Sequence, residues 1–193
     1  MGFRIGYLLA QTEVETATAA FGLTTGAALD APPFGDDLWA THLVKTGWTV
    51  IWAEDELFFY EQPKCVAALS KHAPVISCVV NETVMASTAM GWRDGRLTWS
   101  VHHQGDAEDT SNLDAKGALP PLLDDLKARA VANADDEIDE YYSFFEVPLD
   151  LAAMETGFRH DRVLSSAEAP TYSTLTASAA AKPGFFARLL GKG

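Results

Sequence analysis

Positive charge, cysteine and long apolar runs are all scarce in this chain of 193 residues. It has 14 Lys and Arg against 27 Asp and Glu, a formal net charge of −13. Nucleic-acid binding needs clustered positive charge, so nucleic acid is not expected as a partner. No run approaches the ~20 apolar residues of a membrane-spanning helix, and the first residues lack the apolar core of a signal peptide. We therefore expect an acidic protein of the cytoplasm.

The usual signatures of metal sites and enzymes are missing as well. Cys65 and Cys78 are the only cysteines, too few for a zinc site, and both are predicted to be free thiols in a reducing compartment. The motifs H-E-x-x-H, G-x-S-x-G and C-x-x-C do not occur. We expect no metal and no cofactor, and a binding function is favoured over an enzymatic one.

The order of the secondary structure predicted from the chain is typical of an α+β protein. Apolar and β-branched runs predict strands, and prolines or acidic first turns predict the starts of helices. Strands are expected at residues 3–10, 47–52, 57–60 and 75–80, and helices at 63–70, 120–130 and 135–145, with another beginning at Pro148. Residues 22–46, rich in glycine and proline, predict a long irregular connection. This order favours a mostly antiparallel sheet with helices packed on one side.

Composition divides the chain into three parts. Residues 1–163 are predicted to form a single α+β domain. Ala, Ser, Thr and Pro supply 15 of the 20 residues at 164–183, which is the composition of a linker. Residues 184–193 form a short basic tail, expected to be flexible. Its apolar side chains could contact a membrane surface and are Phe185, Phe186, Leu189 and Leu190.

Asp94-Gly95 is a strong signal for a two-residue hairpin turn. With this turn Arg93 pairs with Arg96 and Ser87 with His102, which separates an apolar face from a polar, cationic one. The polar face is a candidate binding surface that comprises Arg93, Arg96, Ser87, Ser100 and His102. Two facing arginines repel each other unless negative charge lies nearby. Asp94, the acidic run at 135–140, an anionic ligand or the carboxylates of a partner protein could supply that charge.

An acidic stretch from Asp135 to Asp161 holds nine carboxylates and one arginine. It predicts either a solvated helix face or a docking surface for a basic partner protein. Our leading hypothesis is therefore a cytosolic protein-binding module that uses the acidic helices and the polar hairpin face. An immunity protein that neutralises a basic toxin is one specific form of it. The oligomeric state stays open.

His160 and Asp161 suggest a second hypothesis, a small hydrolase-like enzyme. An imidazole oriented by a carboxylate is half of a general-base arrangement, and Ser87 or Ser100 would supply the nucleophile. A third hypothesis is a membrane-associated adaptor that acts through the basic tail.

Four short segments carry a resemblance to a known group of sequences. They are WRDGR at 92–96, WSVHH at 99–103, VPL at 147–149 and TGFRHD at 156–161. Together they resemble a family of uncharacterised bacterial proteins with no assigned function, over residues 3–162. The resemblance implies a bacterial, cytosolic origin and carries over no catalytic role.

Overall fold

Nine strands and four helices are present in the computed structural model, which describes residues 2–33, 38–134, 137–169 and 171–178, without the side chains of 137–141. In chain order these elements are β1 (Arg4–Ala10), α1 (Val14–Ala19), β2 (Leu23–Leu29), β3 (Leu38–Leu43), β4 (Trp48–Ala53), α2 (Pro63–Leu69), β5 (Val75–Asn81), β6 (Ala86–Arg93), β7 (Arg96–His103), β8 (Asp114–Gly117), α3 (Leu122–Asn133), α4 (Glu137–Thr156) and β9 (Tyr172–Ala177).

All nine strands belong to one sheet, in the order β2-β9-β3-β4-β1-β5-β6-β7-β8, and each neighbouring pair is antiparallel. Strand β1 lies at the centre between β4 and β5, and six of its seven residues are buried. Side chains alternate between the two faces of a strand, so a strand covered on both faces is apolar throughout. The predicted strands at 3–10, 47–52 and 75–80 correspond to these three central strands.

Helices and loops cover the sheet on both sides. On the first face, α3, α4 and the segment after α4 pack on a core that includes Tyr7, Trp39 and Trp52. On the second face, α1, α2 and the turns after β4 pack around Phe21 and Phe58. The predicted α+β class with an antiparallel sheet is confirmed. The two longer helices share one face, and the two short ones lie on the other.

Three local predictions were wrong. The segment at 22–46, predicted to be irregular, contains β2 and β3. Residues 57–60 form turns rather than a strand, because Phe58 and Phe59 are drawn into the core of the second face. Pro148 does not begin a helix but lies inside α4. The residues that flank it are buried on the sheet, and this packing outweighs the cost of a proline in a helix.

The predicted linker at 164–183 is also corrected by the structure. Residues 172–177 form β9, which is inserted between β2 and β3, and the Ser178 N–H donates to the Gly22 carbonyl at 2.7 Å. Tyr172 and Leu175 of this strand are buried in the core. Its serine and threonines are compatible with a strand, because small and β-branched side chains fit a pleated sheet. The domain therefore extends at least as far as Ser178, beyond the predicted boundary at 163. Residues 179–193, and with them the predicted tail, lie outside the described residues.

None of the described helices is long and apolar enough to span a bilayer.

Candidate functional site

A cavity of about 510 Å³ opens on the first face of the sheet, where β3, β4 and β9 meet the segment that follows α4. Five aromatic residues line it, namely Phe3, Trp39, Trp52, Phe158 and Tyr172. We call this cavity the aromatic pocket. Ligand sites in proteins are commonly concave, largely apolar and between about 300 and 1,000 Å³, so the aromatic pocket has the size and character of such a site.

The aromatic walls are built by strand pairing. Trp39 on β3 and Trp52 on β4 are directly opposite each other, and their rings stack with centroids 5.3 Å apart and planes at 14°. Tyr172 on β9 meets Trp39 edge-on at 5.4 Å, and Phe3 meets Trp52 edge-on at 6.1 Å. Both tryptophans are largely buried, so the sheet holds their rings in place before any ligand arrives.

A carboxylate lies at the rim of this aromatic pocket. Glu54 follows β4 and is exposed, and its Oε1 accepts a hydrogen bond from Trp52 Nε1 at 3.0 Å. The indole N–H therefore orients the carboxylate beside the edge of its own ring. The cationic lining residue, Arg162, is paired with Glu168, whose carboxylate also accepts a hydrogen bond from the Ser165 hydroxyl at 2.7 Å.

His160, one of the predicted catalytic residues, also lines the aromatic pocket. Its ring packs edge-on against Phe3 at 5.1 Å and stacks over Tyr7 at 6.2 Å, and its Nε2 lies 3.7 Å from Glu82 Oε1. Neither ring nitrogen has a hydrogen-bond partner among the described residues. Burial lowers the pKa of His160, although Asp161 and Glu82 act in the opposite direction. The imidazole is therefore neutral near pH 7.

Asp161 also lines the aromatic pocket, but its carboxylate is bound by Arg159 rather than by the His160 ring. The Arg159 guanidinium donates from Nε to Asp161 at 2.9 Å and also binds Glu146 and Asp150, both on α4. Burial of Asp161 raises the pKa of its carboxyl, but the hydrogen bond and charge of Arg159 outweigh this and leave the pKa below its ordinary value. The predicted pair is thus adjacent in sequence without a hydrogen bond between its side chains.

The hairpin turn forms as predicted, but the predicted register does not hold along the strands. Asp94 and Gly95 both have positive φ, 53° and 77°, as a type I′ turn requires, and Arg93 pairs with Arg96. Between Gly91 and Trp92 the register then shifts by one residue, because Thr98 forms a bulge.

This bulge divides the predicted binding face between the two sides of the sheet. Ser87 pairs with His103 instead of His102, and its hydroxyl is buried and donates to the Phe145 carbonyl at 2.6 Å. His102 bonds through Nδ1 to Thr88 Oγ1 at 2.7 Å, and both lie on the opposite face, as does Ser100. The five predicted binding residues therefore do not form one surface, and the predicted pairing of Ser87 with His102 was wrong.

The aromatic wall was not anticipated from the sequence. Trp39 falls in the segment predicted to be irregular, and Tyr172 falls in the predicted linker. The aromatic residues of β4 were the only local signal, because Trp48 and Trp52 stand in a β-branched run. Strand pairing over more than 100 residues of chain brings the rest of the wall together, and no local pattern records it.

No group of three or more residues suited to hold a metal ion occurs among the residues that the structure describes. Comparison of the chain with protein-family models, with curated proteins and with solved structures finds no match. The resemblance to a bacterial family therefore stays a prediction. Fold and site together define an antiparallel α+β protein with an aromatic-lined pocket.

Proposed function

We propose that this chain is a ligand-binding protein that holds a small organic molecule in the aromatic pocket. The observation that carries the proposal is the stacked pair of Trp39 and Trp52 in the wall of a cavity of about 510 Å³. Aromatic rings offer large apolar contact areas to a ligand, and these two are already held in place by the sheet, so little conformational entropy is lost on binding.

The polar groups around the aromatic pocket support binding more than catalysis. A general base needs a partner that orients it, whereas neither ring nitrogen of His160 has a hydrogen bond to a described residue. Ser87, a candidate nucleophile, is buried beneath α4 and donates to a backbone carbonyl. The hydrolase hypothesis therefore gains no support from these contacts. The cytoplasmic location and the bacterial origin remain part of the proposal as predictions.

The neutral dye N-phenyl-1-naphthylamine tests this function, because its fluorescence rises in an apolar site. We expect the purified protein to bind it with a stoichiometry of one. Ala31→Trp places a bulky ring at the rim of the aromatic pocket from an exposed position, so this variant should lose the binding. Val131→Trp is the matched control, since Val131 is 60% exposed on α3 and does not line the aromatic pocket.

The proposal fails if the dye does not bind the parent protein, or if both tryptophan variants bind it equally well. Circular dichroism and thermal unfolding of the two variants check that each remains folded. A crystal or NMR structure of the complex would then show which rings contact the dye.

A second proposal keeps the protein partner predicted from the sequence. Arg93 and Arg96 face each other at the tip of the β6–β7 hairpin, and the Lys71 side chain packs against Gly95 there. Among the described residues no carboxylate forms an ion pair with any of these three cations. An acidic segment of a partner protein would relieve their repulsion. The acidic-helix, immunity-type and membrane-adaptor hypotheses stay predictions.

A fluorescent hexaglutamate peptide is the probe for this hairpin tip. We expect binding at low ionic strength that weakens steeply with salt and is lost in the variant Arg93→Gln/Arg96→Gln. Lys45→Gln/Lys127→Gln removes the same charge from two exposed lysines elsewhere and should retain the binding. Equal losses in both double variants would show a non-specific effect of charge and would overturn this second proposal.

A further inference from the structure

The charges around the aromatic pocket indicate the chemical class of its ligand. We propose that the aromatic pocket takes an organic cation, in which an amine or quaternary ammonium group is carried on a small apolar body. This inference rests on the proposed ligand-binding function and adds the charge of the ligand to it.

The aromatic walls are the first support. A ring carries negative potential on its face, so a cation within about 6 Å of the ring centroid is attracted, most strongly by tryptophan. The aromatic pocket combines two tryptophans with Phe3 and Tyr172, whose rings meet the tryptophans edge-on. Several rings that surround one cavity are the arrangement in which proteins recognise ammonium groups.

The charged groups at the aromatic pocket are the second support. Glu54 stands at the rim with its carboxylate oriented by the Trp52 indole N–H. The cationic lining residue, Arg162, is already paired with Glu168, and burial keeps His160 neutral near pH 7. A ligand entering the aromatic pocket therefore meets aromatic rings, the oriented Glu54 carboxylate and the Asp161 carboxylate, which is paired with Arg159, but no unpaired cation among the described lining residues.

The net charge of −13 also favours a cationic ligand, because it attracts cations from distances beyond the aromatic pocket itself. A field of one sign raises the local concentration of oppositely charged ligands and speeds their association. An anionic ligand would have to approach against this field and would find no unpaired cation among the lining residues that the structure describes.

Displacement of the bound neutral dye gives the test. Choline and 3,3-dimethylbutan-1-ol have the same shape but differ in charge, so their ratio of half-displacing concentrations isolates the effect of the cation. We expect choline to displace the dye at a concentration at least about fivefold lower. Glu54→Gln should reduce this ratio without abolishing it, because the negative charge is gone while the amide oxygen still accepts the Trp52 hydrogen bond and the aromatic walls remain.

Glu155→Gln is the matched control, since it removes the same charge from an exposed position on α4 that does not line the aromatic pocket. It should keep the preference of the parent protein, and all three proteins should bind the neutral dye equally. A ratio near one in the parent, or an unchanged ratio in the Glu54 variant, overturns the inference but leaves the ligand-binding function intact. Failure of the neutral dye to bind the parent overturns both.

Discussion

Arg159 connects α4 to the segment that lines the aromatic pocket, and removing its charge should destabilise the fold measurably. Its side chain is only 21% exposed, and its guanidinium donates to Asp161, Asp150 and Glu146, whose side chains are 30–46% exposed. In Arg159→Gln these three carboxylates lose their shared cation and repel one another. Arg129, 3.6 Å from Asp150, is the only other described cation that pairs with any of them.

The size of the effect follows from the exposure of the partners. A hydrogen bond to a charged group contributes about 1.5–3 kcal/mol when buried, and far less when exposed to solvent. With partners about one-third exposed, about 1 kcal/mol for each of the three is appropriate. We expect a loss of about 3 kcal/mol in the free energy of unfolding. For a chain of this length the melting temperature should then fall by about 6–12 °C.

The stability lost in Arg159→Gln should also become smaller as the pH is lowered. The folded-state pKa of Asp161 is lowered below its ordinary 3.8, so its stabilising contribution is complete above that value and disappears as the pH falls through the folded pKa. Burial raises the pKa of Asp150, so this carboxylate is protonated at a higher pH than Asp161 as the solution is acidified. The difference between the parent and Arg159→Gln is therefore largest at pH 7 and shrinks below about pH 4.

Urea unfolding followed by tryptophan fluorescence at pH 7 and pH 3 measures both effects. Arg129→Gln is the control, because Arg129 is 61% exposed and should contribute less than about 1 kcal/mol. The reasoning is refuted if the two variants lose the same stability at pH 7, or if the loss in Arg159→Gln is the same at both pH values.

Three further predictions concern the sheet and its buried groups. In Gly91→Ala the new Cβ would lie 2.1 Å from the Nε1 of Trp99, so we expect thermal unfolding to show a loss of about 2–4 kcal/mol. Burial raises the pKa of the Cys78 thiol to about 12, and only Cys65 should therefore react with Ellman's reagent at pH 8 until the protein is unfolded. Burial lowers the pKa of His103, so the unfolded chain binds a proton at this residue more readily than the folded protein does. The free energy of unfolding, measured by urea titration, should therefore fall from pH 7 to pH 5, and it should fall less in His103→Gln.

The central strands and the hairpin turn could be predicted from the sequence because local chemistry determines them. β1, β4 and β5 are short apolar runs, and a strand covered on both faces needs no other signal. The turn at Asp94 requires two residues that tolerate positive φ, and Asp-Gly meets that requirement by itself. The α+β class followed from the order of such elements.

The register of the hairpin shows where local patterns fail. Alternation of polar and apolar residues was expected to persist along both strands, but a bulge at Thr98 shifts the pairing by one residue. Gly91 permits this arrangement, because the Trp99 ring occupies the space that a Cβ would fill. A shift of one residue moves each later partner to the other face, and the predicted binding surface was divided for that reason.

The aromatic pocket is a product of the tertiary structure alone. Composition, charge and turn chemistry are properties of neighbouring residues, so the sequence by itself determined the acidic character, the central strands and the fold class. Trp39 and Tyr172 become neighbours only because β9 returns to pair beside β3, after 128 residues of intervening chain and other strands. His160 and Asp161 show the reverse, since these adjacent residues have different partners: the His160 ring stacks on Tyr7, and the Asp161 carboxylate is bound by Arg159. Pairing between distant strands decides which side chains meet. The free energy of that pairing comes from contacts over the whole sheet, so no single segment of the sequence determines it.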